Sequence, residues 1–128
     1  MSHNKLSSDV IKAAISVHKE LGPGLLESVY QSCMVIALSE MGLYVKTEVA
    51  VPIKFRGKEI TSQGFRIDVL VEDTLVVEFK SVNQIKDIHK KQLLTYLKLS
   101  QKPLGLLINF NEILLKNGIT RIINSVSL

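Results

Sequence analysis

The stretch from Phe65 to Lys80, FRIDVLVEDTLVVEFK, constrains this chain more than any other. It reads as two short strands joined by a tight connection. In the first, Phe65, Ile67, Val69 and Val71 alternate with Arg66, Asp68, Leu70 and Glu72; in the second, Val76, Glu78, Lys80 and Val82 share a face opposite Leu75, Val77 and Phe79. A segment as apolar as LVVEF is expected to be buried, and an ionised glutamate taken out of water without a partner is heavily penalised. Glu78 therefore requires a reason to be there.

The connection decides which residues meet. If Glu72, Asp73 and Thr74 form the loop, Val71 pairs with Leu75, and antiparallel register places Asp68 opposite Glu78 and Arg66 opposite Lys80. A loop shorter or longer by one residue would send Asp68 to the other face, and a bulge would also change the outcome. Facing carboxylates repel, and the usual remedies are a shared proton or a bound cation. Two hard oxygen ligands with open positions suit Mg²⁺ or Mn²⁺.

The 128 residues suit one domain, 1–128, with one substantial core, and an apolar fraction of 46% argues against disorder. A net charge of +4 and a pI near 9.2 are compatible with a polyanionic partner. Cys33 is the only cysteine, which excludes an intrachain disulfide and a cysteine-built zinc site and fits a reducing compartment. No apolar run approaches a membrane span, and MSHNKLSSDV lacks a signal-peptide core, so the expected location is the cytoplasm, away from membranes.

Along the chain, Ser7, Ser8 or Asp9 is expected to cap a helix running to about Leu21, with Val10, Ala14, Val17 and Leu21 as its apolar stripe. Gly22-Pro23-Gly24 stops it. A second helix spans about Leu26 to Met41, with Leu26, Val29, Cys33 and Ile36 on one face and Tyr30, Met34 and Met41 on the neighbouring one. Leu43 to Phe55 has strand character, Pro52 suggests an edge or bulge, and Arg56-Gly57-Lys58 looks like a turn into a strand from Glu59. Gly64 then leads into the hairpin. A helical pattern runs from about Ile85 to Ser100, ended by Pro103, and Leu104 to Phe110 reads as a strand buried on both faces. Ile113 to Ile123 fits either a strand or a short helix. The order implies an α/β fold, a mixed sheet flanked by helices.

Each candidate residue has an ordinary structural explanation as well. Glu27 opens the second helix, where an acidic side chain complements the helix dipole, or it points inward and joins the carboxylates. Glu78-Phe79-Lys80 alone is explained by a cross-strand salt bridge, whereas Asp68 on a matching strand turns it into a candidate site in which Lys80 holds a water near a scissile phosphate. Gln92 and Tyr96 share a helix face with His89 one turn earlier, which by itself reads as a polar stripe. Lys86, Lys90, Lys91, Lys98 and Lys102 form a solvated basic face that is also able to steer a phosphate backbone. His18, beside Ala14 and Ile15, fits a satisfied core histidine.

Gly24-Leu25-Leu26-Glu27-Ser28-Val29-Tyr30 resembles the signature of the GxxExxY proteins, a bacterial and archaeal group of the PD-(D/E)XK nuclease superfamily. The likeness extends to Val17 through Pro23, Arg66-Ile67-Asp68, Glu78-Phe79-Lys80, His89 with Gln92 through Leu97, and Leu106 through Phe110, covering Val10 to about Asn124. It implies a restriction-endonuclease-like core. It also implies that Asp68 and Glu78 bind a divalent metal, usually Mg²⁺, completed by Glu27, and that Lys80 assists the attacking water. Gln92 and Tyr96 resemble a Gln-x-x-x-Tyr pair that lies beside the active site in the recombination-exonuclease branch. The proline often associated with the superfamily's aspartate is absent, Arg66-Ile67 standing before Asp68.

The expectation is a metal-dependent nuclease acting on DNA, or alternatively RNA, with Glu27, Asp68, Glu78 and the Phe79 carbonyl as metal ligands and Lys80, Gln92 and Tyr96 as catalytic residues. A homodimer would supply substrate-wrapping surface that so small a chain lacks. The rival expectation is a non-catalytic module binding nucleic acid or protein on the same fold. A third is a purely structural salt-bridge network, which predicts no metal affinity.

Overall fold

The computed structural model describes residues 2–125, with backbone alone for 61–64. Its elements are α1 (His3–Leu21), α2 (Glu27–Glu40), β1 (Val45–Phe55), β2 (Lys58–Val71), β3 (Leu75–Lys80), α3 (Asp87–Ser100), β4 (Leu104–Asn109), a 3₁₀ turn (Leu115–Gly118) and β5 (Ile119–Ile123). The strands form one five-stranded mixed sheet in the order β1-β2-β3-β4-β5. β3 and β4 run parallel, joined through α3, and all other neighbours are antiparallel. This is the expected α/β architecture with a restriction-endonuclease-like core.

Two apolar clusters sandwich the sheet. On one face Leu6, Val10, Ala14 and Val17 of α1 and Tyr30, Met34 and Leu38 of α2 pack on Val69, Leu75, Val77, Phe79, Leu106 and Ile108. On the other, Leu93 and Leu97 of α3 pack on Val51, Ile67, Leu70, Val76 and Leu107. β3 and β4 carry apolar residues on both faces because helices cover both.

α1 begins earlier than expected: Ser2 caps it, its Oγ accepting from the Lys5 N–H at 3.1 Å. Ser7 and Asp9 instead lie buried inside the helix, Ser7 donating to the Asn4 carbonyl and Asp9 pairing with Lys5 at 2.8 Å. In α2 the Tyr30 face is the buried one, and Leu26, Val29 and Ile36 remain exposed. Pro52 has both expected attributes, since β1 is an edge strand and its register shifts between Val51 and Ile53. The segment Ile113 to Ile123 contains both the 3₁₀ turn and β5.

The hairpin has the expected loop. Val71 pairs with Leu75, Thr74 N–H donates to the Val71 carbonyl at 3.0 Å, and Glu72 and Asp73 both take φ of 53°. Regular pairing then covers Leu70 with Val76 and Val69 with Val77 and extends no further, so Arg66 and Lys80 are not ladder partners. One expectation for β2 is corrected: Val69 and Val71 face the α1/α2 side, whereas Phe65 and Ile67 face α3. The inward face reverses at Asp68.

Candidate active site

The site begins where the β2–β3 ladder stops. In place of the next pair of backbone hydrogen bonds, Asp68 N–H donates to Glu78 Oε1 at 3.3 Å, and Phe79 N–H donates to Asp68 Oδ2 at 3.0 Å. Each carboxylate thus satisfies a backbone donor of the opposite strand, and Asp68 meets Glu78 at the expected level.

Burial places Glu78 in a poor environment for charge, with 8% of its surface exposed. Its carboxyl is pushed up to about 8, first by burial and then by the negative charge of Asp68, while the Lys80 ammonium pulls the other way. Asp68 is raised as well, chiefly by burial, against the lowering effect of its hydrogen bond from Phe79 and with added repulsion from Glu48 and Glu27. Facing carboxyls raised in this manner are matched to a proton or a hard cation. The donor set of the seam therefore fits Mg²⁺ or Mn²⁺ in chemistry.

Glu27 is placed at the edge of this seam rather than inside it. It is exposed, and its Oε2 accepts from the Ser81 N–H, directly after Lys80, at 3.2 Å. Among the described residues no group of three or more His, Cys, Asp or Glu side chains is gathered closely enough to hold a metal. The structure brings Asp68 and Glu78 together and leaves Glu27 at the edge, held by the Ser81 N–H.

The loop before Glu27 is locked by Tyr30. Its fully buried phenol donates to the Gly22 carbonyl at 2.6 Å and accepts from the Leu25 N–H at 3.1 Å, and its ring stacks on Phe110 with centroids 4.3 Å apart. Gly24 has φ of 95°, a conformation that a side chain would strain. Gly24 and Tyr30 therefore shape the turn that delivers Glu27, and Ser81 Oγ fastens it from the other side by donating to the Leu25 carbonyl at 2.7 Å. Asn109, fully buried, clips the following residue: it accepts from Val82 N–H at 3.1 Å and donates to the Val82 carbonyl at 2.9 Å.

α3 contributes Tyr96. Its ring stacks on Phe65 at 3.7 Å, made possible by the face reversal of β2, and its hydroxyl is raised by burial and by the charges of Glu78 and Asp68. Gln92 lies one turn earlier, exposed, with no hydrogen bond to the carboxylates or Lys80 among the described residues. His89 closes the start of α3, its Nδ1 accepting from Lys86 N–H at 3.0 Å, and His18, half-buried rather than in the core, is satisfied by its Nε2 contact with the Glu112 carbonyl at 2.7 Å.

Sequence reasoning missed Glu48. It stands opposite Asp68, between the pairs Thr47–Val69 and Val49–Ile67, and Gln31 of α2 donates to its Oε2 at 3.1 Å. The only signal was register: once β1 is paired to β2, an acidic residue falls beside Asp68.

Comparison with known proteins adds one match: the model of the PD-(D/E)XK nuclease superfamily covers residues 4–122. No curated protein and no solved structure matches.

Proposed function

The chain belongs to the PD-(D/E)XK nuclease superfamily, and from that membership we propose that it is a metal-dependent nuclease hydrolysing phosphodiester bonds in DNA. The observation that carries this reading is the Asp68–Glu78 seam, a buried and a half-buried carboxylate held face to face beside Lys80. Gly24, Glu27 and Tyr30, whose structural roles interlock, support a place within the GxxExxY group.

Asp68, Glu78 and the Phe79 carbonyl would hold Mg²⁺ or Mn²⁺, with Glu27 at its outer edge. When bound, the ion supplies positive charge to the phosphate and acidifies water. The chain's own part is positional. Lys80 lies two residues beyond Glu78 on the same face of β3 and orients the attacking water against the phosphate. Tyr96, held by Phe65, gives a hydroxyl beside the carboxylate pair, and Gln92 extends that helix face toward the nucleic acid. Lys86, Lys90 and Lys91 add positive charge near the start of the same helix.

Labelled single- and double-stranded DNA incubated with Mg²⁺ or Mn²⁺ tests the reading. Wild type should cut, and Glu78→Gln and Lys80→Ala should each lose about 10² or more in rate while keeping a native circular-dichroism spectrum. Equal cutting by Glu78→Gln would overturn it. Nucleic-acid binding with no cutting by wild type would favour the non-catalytic module.

A further inference from the structure

Five non-glycine residues have positive φ among those described, and four occupy tight turns or a helix end: Arg56, Glu72, Asp73 and Gln101. The fifth is Glu48, at 51°, inside the eleven-residue strand β1. A glutamate gains nothing locally from the left-handed region, where its Cβ crowds the backbone. Such an outlier persists only where the surroundings impose it, and outliers of this kind gather at functional sites.

The place is specific. Thr47 pairs with Val69 and Val49 with Ile67, so Glu48 and Asp68 oppose each other without a slip in register. At the same level the inward faces of both strands reverse: Val45 and Val69 belong to the α1/α2 side, Val49 and Ile67 to the α3 side. A regular β2 would keep Phe65, Ile67 and Val69 on one face. Instead β2 pairs with β3 only from Val69 onward, and the Asp68 carboxylate turns into the gap before it to take the Phe79 N–H.

We propose that Glu48 is a positioning residue whose left-handed backbone, opposite Asp68, kinks the β1–β2 ribbon and so aims the Asp68 carboxylate into the seam with Glu78. Two further contacts hold the kink. Arg66 Nη1 donates to the Glu48 carbonyl at 3.4 Å, and Gln31 donates to its carboxylate. Gln31 lies four residues after Glu27 on α2, so the same contact keeps the helix bearing Glu27 over the strand pair. The metal-binding consequence rests on the reading given under Proposed function; the kink itself does not.

The experiment separates backbone from side chain. All four variants tested lose the Gln31 contact: Glu48→Gly and Glu48→Asn offset that loss by easing the positive φ, Glu48→Ala keeps the full penalty that glutamate bears, and Glu48→Val raises it most. In metal-free protein, hydrogen exchange of the Phe79 amide reports the Asp68 hydrogen bond directly. Gly and Asn should keep its protection within about threefold of wild type, whereas Ala and Val should lose about tenfold or more. Mn²⁺ affinity should follow the same order. If Val fails to fold, the Ala–Gly contrast decides the question. Equal Phe79 protection in all folded variants would overturn the positioning role. Wild type that protects Phe79 yet binds no Mn²⁺ would overturn the metal reading while leaving the kink intact.

Discussion

The two ends of the β2–β3 pair are built from the same kind of apolar sequence and end up in opposite states. At the turn, Val69, Leu70 and Val71 pair regularly with Val77, Val76 and Leu75, and every one of these six side chains is buried. Only three residues from the turn the strands separate, and two carboxylates stand in for the missing backbone partners. The closed end is held by packing and a ladder that need nothing from outside. The open end satisfies its hydrogen bonds while concentrating negative charge in a buried place. Stability thus resides at the turn end of the hairpin and unspent electrostatic potential at the other.

Breaking the closed end should have the largest effect on stability. Leu75 is fully buried, so Leu75→Ala is expected to cost ~2–4 kcal/mol and lower the thermal midpoint by roughly 10 °C, as read by calorimetry. At the open end the same technique should report the reverse sign. Because the Glu78 carboxyl rises from 4.5 to about 8 on folding, the metal-free folded chain holds more protons than the unfolded one across that window. Stability from the pair is complete below the window and declines as pH rises through it. Glu78→Gln should therefore stabilise the metal-free protein by ~1–3 kcal/mol near pH 9 and change it little near pH 4. A wild-type thermal midpoint that is flat with pH would remove the contrast between the two ends.

A smaller effect sharpens the comparison at the turn itself. Asp73 adopts φ of 53°, where glycine is unstrained, and among the described residues its carboxylate meets only the Lys102 ammonium, at 3.2 Å on the surface. Asp73→Gly should stabilise the hairpin by ~0.5–1 kcal/mol in denaturant unfolding, with Phe79 amide exchange unchanged apart from that global gain.

The closed end was legible in the sequence because period-two alternation and one turn length fix a register, and Asp68 opposite Glu78 followed from it. The face reversal at Asp68 was not. It depends on the backbone of Glu48, a residue with no intrinsic preference for positive φ, in a strand whose pairing with β2 the local sequence does not specify. Glu27 was open for a similar reason: the helix start was visible, but its carboxylate's destination depends on Ser81, fifty-four residues later. Gln92 and Tyr96 illustrate the limit from the other side. Helical spacing put them on one face, yet among the described residues only Tyr96 acquires a partner, through Phe65. The start of α1 was misplaced because Ser7 and Asp9 have capping side chains but lie inside the helix, where the Asn4 carbonyl and Lys5 satisfy them.

The most direct test of the central claim, that the Asp68–Glu78 seam is a cation site, is calorimetric titration of Mn²⁺ and Mg²⁺ into wild type and Asp68→Asn at neutral pH. The account predicts saturable binding to wild type, with protons released as the pair ionises, and loss of that binding in the variant. Equal binding by both proteins, or none by wild type, would contradict it.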